Sequence, residues 1–268
     1  MWKPNKYFLY EKSVQSPEAH VELVAQIAAD LAPGRHLKSL REDFCGTSLI
    51  SCQWVRSHPA HTALGFDLDP VPLAYGRRHH FSKLSAGERR RVSAVRRDVI
   101  SVSKPRHDLI VAANFSFYIF KQRALLLKYF KKARASINSG GLFILEMAGG
   151  SGMIQTMREW KPVYVTSAGK KRRFTYVWDQ LSFDPITHDV KYAIHFHVDG
   201  RRMEGAFEYD WRLWTIPEVK DLLLEAGFSD TAVYWETEDE NGEGTGEYER
   251  RENGDNAVSW IAQVVGIV

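Results

Sequence analysis

The chain has 268 residues, a net charge of +3, 44% hydrophobic and 26% charged residues. That balance describes an ordinary globular protein of one large domain, or one domain with a sizeable insertion, and no apolar run approaches the roughly 20 residues that cross a bilayer. Two cysteines, Cys45 and Cys52, exclude a disulfide framework; with no Cys or His partners at ligand spacing, no metal is expected. The opening "MWKPNKYFLYEKS" has neither a long apolar core nor a small-residue cleavage site, so the expected compartment is the cytoplasm.

Ser16-Pro17 can open a helix, with Val21, Val24, Ile27, Ala28 and Leu31 at helical spacing and Pro33-Gly34 as its stop. A first strand is predicted through Leu37 to Leu40, running into Arg41, Glu42 and Asp43. The small-residue turn Cys45 to Ser48 leads to a helix carrying Leu49, Ile50, Trp54 and Val55. "TALGF" is the second strand, and Asp69-Pro70 supplies an N-cap and a first-turn proline for the next helix. "VSAVR" is a third strand. "DLIVAANF" reads as a strand buried on both faces of a parallel sheet. Lys121 to Ile137 has helical periodicity, and "LFILEM" is a fifth strand. The β-α-β-α order implies right-handed crossovers.

After Met147 the pattern changes to alternation in "RFTYVWDQLSF", "DVKYAIHFHVDG" and "RRMEGAFEYDWRLWT". This predicts an antiparallel ribbon of about three strands. "TIPEVKDLLLEAGF" returns to a helix with a Thr215 cap, and "TAVYW" and "AVSWIAQVVGIV" are the last two strands, joined by an acidic loop. The expected fold class is α/β: a Rossmann-like, seven-stranded, mostly parallel sheet with helices on both faces, its last strand antiparallel, plus a ribbon inserted after strand five. The expected parts are an N-terminal segment and helix (1–35), the α/β core (36–148), the inserted ribbon (149–212) and the rest of the core (213–268).

In an open parallel sheet, ligands bind beyond the carboxyl ends of the strands. Acids stand at four of those ends: Glu42 and Asp43, Asp67 and Asp69, Asp98, and Glu146. The glycines of a dinucleotide-binding loop are not filled, and the acids would repel a pyrophosphate. No phosphate-binding G-x-x-x-x-G-K-[ST] motif is present. A cationic nucleoside without phosphates fits better, since carboxylates can accept from an ammonium, a ribose diol and an exocyclic amine. Asp43 has an alternative role as a helix cap, Asp69 is read chiefly as one, and Arg41 can pair with a carboxylate.

"SLREDFCGTSL" resembles the first motif of the class I S-adenosylmethionine-dependent methyltransferases, with Glu42 as its acid and Gly46 as its second glycine, while Phe44 and Ser48 replace the other two. "ALGFDLDP" is similar to the second motif, and "RRDVIS", "HDLIVAANFSFYI" and "SGGLFILEM" to the next three; the resemblance covers nearly the whole chain. It implies S-adenosylmethionine as cofactor. It assigns ribose to Asp67, with Leu68 beside it, and adenine to Asp98 and Val99. Tyr10, Arg41, Glu42, Phe44, Gly46 and Asn114 complete the expected cofactor set. The aromatic segment "YFLYEKSVQ", with Tyr7 and Tyr10, is expected either to close over the cofactor as a lid or to pack on the core; Phe117 and Tyr118 are further aromatic candidates.

In-line methyl transfer needs alignment and exclusion of water more than it needs a base. Where a base is required, His195, His197 and Tyr118 are the candidates. The leading expectation is an enzyme methylating a small-molecule acceptor. Alternatives are a methyltransferase docking RNA or protein through the basic Arg77 to Arg97 region, and a non-catalytic nucleoside-binding module. Nucleic acid is disfavoured, because no nucleic-acid motif accompanies the charge. No membrane partner is expected, and a homodimer is allowed.

Overall fold

The computed structural model describes residues 2–101, 104–240 and 242–268. Five strands form a parallel half-sheet: β1 (Ser39–Asp43), β2 (Thr62–Asp67), β3 (Val92–Arg96), β4 (His107–Ala112) and β5 (Ile137–Gly149). The helices are α1 (Lys6–Val14), α2 (Pro17–Leu31), α3 (Leu49–Ser57), α4 (Pro70–His79), the short α5 (Ala86–Arg89) and α6 (Arg123–Ala135). A second sheet holds β6 (Met157–Ser167), β7 (Lys170–Phe183), β8 (Asp189–Val198) and β9 (Arg201–Arg212) in sequential antiparallel order. The chain then returns through α7 (Ile216–Glu225) to β10 (Asp230–Glu238), β11 (Gly244–Arg250) and β12 (Trp260–Ile267). The main sheet has the order β11-β10-β12-β5-β4-β1-β2-β3, with β12 antiparallel to β5.

The apolar runs of β4 and β5 are explained by burial on both faces. Ile110, Ala112, Phe143 and Leu145 pack with Leu126 of α6 and Val219 of α7. Their neighbours Leu109, Val111, Leu142 and Ile144 pack with Val24 and Ile27 of α2 and with Ile50 and Trp54 of α3. Alternation along each strand thus feeds two cores, each large side chain contributing about 1.5–3 kcal/mol by burial. The expected caps form: Asp69 accepts from the Val71 amide at 2.8 Å, and Thr215 makes a capping box with Glu218. Ser16 starts α2 without a side-chain cap.

Three expectations are corrected. The main sheet has eight strands, because the acidic segment taken as a loop folds as the exposed edge strand β11. The ribbon has four strands; β6 contains Pro162, its first half is almost wholly exposed, and burial alternates only over residues 163–167. β1 does not stop at Leu40 but runs through Arg41, Glu42 and Asp43, all buried. Arg41 and Asp43 share one side of the strand. Arg41 Nε donates to Asp43 Oδ1 and Nη2 to Oδ2, both at 2.7 Å, and the Tyr129 hydroxyl of α6 donates to Oδ2 at 2.9 Å. A bidentate ion pair and a hydroxyl let two charges lie inside a strand.

The basic segment Arg77 to Arg97 lies around the β3 edge of the sheet, and the acids from Glu236 to Asp255 surround the β11 edge. Among the described residues no helix is long and apolar enough to cross a membrane.

Candidate active site

A cleft of about 320 Å³ opens at the carboxyl ends of β1, β2 and β4. Its floor is Glu42 to Thr47 from β1 and the following loop, Asp67 and Asp69 from the end of β2, and Ala113, Asn114 and Ser116 after β4. Its roof is Lys6, Tyr7, Tyr10 and Gln15 from the N-terminal segment, and Phe207, Tyr209 and Trp211 from β9.

The loop after β1 takes a path that its sequence does not favour. Phe44, Gly46 and Ser48 all have left-handed backbone, with φ of 56°, 51° and 58°. These are the three places where a glycine-rich motif would carry glycine, and only one of them does. The conformation aims the Gly46 amide at Asp67, which accepts it on Oδ2 at 2.8 Å and accepts the Asp69 amide on Oδ1 at 2.8 Å. A carboxylate has about four acceptor sites, so these bonds leave capacity for a further donor. Burial pushes the Asp67 carboxyl up, against the opposing pull of the Asp69, Gly46 and Leu68 amides.

Glu42 lies on the opposite side of β1 from Arg41. Oε2 accepts from the Ser51 amide at 2.8 Å and from its hydroxyl, so it holds the first turn of α3. Burial raises its carboxyl to about 7, although the Ser51 bonds act the other way. Asn114 has φ of 54°, and its amide donates to Glu146. Glu146 also lies 3.5 Å from His20 Nε2. Burial alone would lower His20, but the Glu146 carboxylate outweighs it and the imidazole stands at about 9.

The roof is held at several points. The Thr47 hydroxyl donates to Glu11 Oε1 at 2.6 Å, and His80 Nε2 shares that oxygen at 2.6 Å. Leu9, on the other side of α1, is buried against Phe174, Ile194 and Phe196 of the ribbon. The Tyr10 and Phe207 rings are 4.8 Å apart, and Tyr209 and Trp211 are 4.3 Å apart. One face of α1 packs on the ribbon, and Tyr7 and Tyr10 line the cleft.

The structure gathers Tyr10, Glu42, Phe44, Gly46, Asp67 and Asn114 around this cleft. Arg41 is not there; its fork is closed on Asp43 beneath the floor. Leu68 is exposed at 59% and Val99 is buried in the core, so neither forms a wall. Asp98 caps the short turn after β3, accepting from the Ile100 amide at 2.9 Å. Tyr118 and Phe117 are fully buried, and the Tyr118 hydroxyl donates to the Ala148 carbonyl at 2.8 Å. Tyr118 cannot reach a substrate as a base.

His195 and His197 are excluded by strand geometry. Tyr192 pairs with Tyr209 and Ile194 with Phe207, so even positions of β8 share the roof face and the histidines lie on the reverse. There His195 Nε2 is 3.2 Å from Asp179 and Nδ1 is 2.9 Å from Glu204. Gln15, Lys6, Thr47 and Phe207 were not singled out as site residues. Phe207 could have been found, since it lies two residues from Tyr209 on the same strand face.

No family model matches the sequence, and no curated protein matches it either. Solved structures do. An S-adenosylmethionine-dependent methyltransferase from Clostridium acetobutylicum aligns over 97% of this chain and 96% of its own, with 16% identity and a TM-score of 0.64. The fold is that of the S-adenosylmethionine-dependent methyltransferases. A sugar N-methyltransferase from Streptoalloteichus sp. aligns over 100% and 94%, at 16% identity and TM-score 0.67. An amino pentose methyltransferase from Micromonospora echinaspora, solved with S-adenosylmethionine bound, aligns over 98% of both chains at 15% identity and TM-score 0.66.

Proposed function

We propose that the protein transfers a methyl group from S-adenosylmethionine to a small-molecule acceptor. The observation that carries this is Asp67: a carboxylate fixed at the end of β2 by two backbone amides, on the floor of a cleft roofed by aromatic rings. When bound, the cofactor supplies an activated methyl group on a sulfonium.

The residues present fit that cofactor. The floor offers carboxylates and no free cation. Lys6 is the one cationic side chain on the wall among the described residues; its ammonium donates to the Ala206 carbonyl at 2.9 Å and lies over the Phe207 ring at 4.6 Å. A phosphate would meet repulsion, whereas an ammonium, a sulfonium and a diol meet acceptors and aromatic faces. Gln15 Oε1, on the cleft wall, is buried with no hydrogen-bond partner among the described residues, a waiting acceptor for an ammonium donor.

Asp67 would hold the ribose hydroxyls of the bound cofactor. Tyr10, Phe207, Tyr209 and Trp211 face the acceptor, exclude water and hold it in line. The roof favours a small acceptor over a polymer. The RNA-docking alternative is weakened by the partners of the basic segment: Arg77, Arg89, Arg91 and Arg96 are each engaged with backbone carbonyls.

Isothermal titration tests the proposal. S-adenosylmethionine binds the wild-type protein, and Asp67→Ala weakens it by about 2–3 kcal/mol, the worth of charge-assisted hydrogen bonds. No binding, or binding indifferent to Asp67→Ala, overturns it. A tritiated-methyl assay against a metabolite extract then separates an enzyme from a non-catalytic nucleoside-binding module.

A further inference from the structure

On the side of the sheet away from the cleft, three histidines meet that the sequence holds apart. His36 follows α2, His58 ends α3, and His61 precedes β2. One ring nitrogen from each lies within 4.8 Å of the other two, and this is the one such grouping among the described residues. We propose that these three imidazoles form a binding site for a divalent transition metal ion of the zinc type, with a fourth position open to water.

The ring arrangement fits an ion. Ligand nitrogens about 2.0–2.1 Å from a tetrahedral ion place three ring centroids about 5 Å apart. The observed separations are 4.8 Å for His36 and His58, 5.0 Å for His58 and His61, and 5.7 Å for His36 and His61. The rings are also steeply inclined to one another, at 78°, 43° and 68°, as edge-on convergence requires and as a simple stack does not.

Two of the ligands are held in advance. His61 is buried and stacked on the Trp54 indole at 3.8 Å with 2° between planes. Its Nδ1 lies 3.1 Å from the Trp54 carbonyl and 3.0 Å from the Ser57 hydroxyl; with the proton on Nδ1 donated to that carbonyl, Nε2 is the nitrogen left to bind an ion. Arg91 braces the turn: its guanidinium donates to the His58, His61 and Val55 carbonyls, the last at 2.8 Å. His58 Nδ1 now accepts from the Ala60 amide at 3.1 Å, so ligation through that nitrogen hands the amide to water. His58 and Ala60 are half-exposed and His36 is exposed, which gives an ion and its water ligand access. The ring nitrogens lie within 4.8 Å of one another, against roughly 3.3 Å in a tetrahedral site, so an ion must draw them together, and exposed His36 has the most room to move. An ion there ties the loop bearing His36 to the turn before β2, in a part of the molecule remote from the cleft.

The test uses the full chain without an affinity tag, stripped with a chelator. Zinc is titrated in competition with a chromophoric chelator, and cobalt is added separately to read the intense visible absorption of a tetrahedral site. The expected result is one ion per chain, a cobalt spectrum of tetrahedral type, and a zinc-dependent rise in the thermal midpoint. His36→Gln and His58→Gln lie at the surface and leave the fold intact; each weakens zinc binding at least tenfold and removes the thermal effect. His61→Gln is avoided because it also breaks the stack on Trp54. No uptake by the wild type, or uptake that survives both variants, overturns the proposal. S-adenosylmethionine titrations are unaffected either way, which separates this site from the cleft.

Discussion

The Thr47 hydroxyl donates to Glu11 Oε1 at 2.6 Å, joining the loop after β1 to the N-terminal helix across the mouth of the cleft. His80 of the α4 C-terminus reaches the same oxygen. One carboxylate therefore fastens the roof to two parts of the floor. Glu11→Ala removes both bonds and leaves two buried groups without a partner. The expected cost is about 1–3 kcal/mol in stability, together with weaker retention of the cofactor. Urea unfolding and isothermal titration measure the two effects. An unchanged cofactor affinity would show that the helix does not act as a lid.

Arg41 is structural. Arg41→Ala leaves Asp43 buried and unpaired, and is expected to destabilise the fold by about 3–5 kcal/mol. A double variant, Arg41→Met with Asp43→Leu, removes both charges and recovers most of that loss. Denaturant midpoints decide between this account and a ligand role for Arg41, which would leave stability near that of the wild type.

The backbone at Ser48 predicts a gain. A non-glycine residue in the left-handed region costs about 1–2 kcal/mol, and Ser48 contributes only a 3.3 Å contact from its hydroxyl to the Cys45 sulfur. Ser48→Gly is expected to raise stability by about 1 kcal/mol, read as a higher thermal midpoint. Phe44→Gly is not expected to help, because the Phe44 ring packs on Phe120 and Tyr129 at 5.8 and 5.7 Å.

Two buried groups make stability fall with pH. Glu42 keeps its proton to about 7 in the folded protein but loses it near 4.5 when unfolded, so stability declines between those values. His20 is raised to about 9 from an ordinary 6.5; its contribution is complete below 6.5 and is lost as pH rises through 9. Urea unfolding at stepped pH should show Glu42→Gln flattening the lower window and His20→Gln the upper one. At pH 8, Glu42→Gln is expected to be the more stable protein, by up to about 3 kcal/mol.

On the reverse face of the ribbon, His195→Gln is expected to leave methyl transfer within about twofold of wild type, because His195, though buried, touches Asp179, Glu204 and the Gly205 amide and not the cleft. Trp211→Ala, on the roof, is expected to raise the KM for the acceptor. Steady-state kinetics with the acceptor that the tritium assay finds will separate the two.

The parallel core was legible because β4 and β5 are apolar at successive positions, which only burial on both faces explains. The caps at Asp69 and Thr215 were legible because capping is local chemistry. β6 and β11 were not, since each is largely exposed and gives no apolar alternation. In the site, Asp67 and Tyr10 stood out by type and place. Pairing of Arg41 with a carboxylate was open to the sequence; its burial was not, because the wall that closes over the Arg41–Asp43 pair includes Tyr129, which is distant in sequence. The fate of His195 turned on which ribbon face meets α1, and strand alternation alone leaves that choice open.

The sheet has a basic rim at β3 and an acidic rim at β11. A net charge of +3 suggests a molecule that exchange resins hold weakly. With its charge segregated to opposite ends, the protein instead has a large permanent dipole along the sheet. At low salt it should adhere to anionic and cationic media alike, each resin taking hold of a different end.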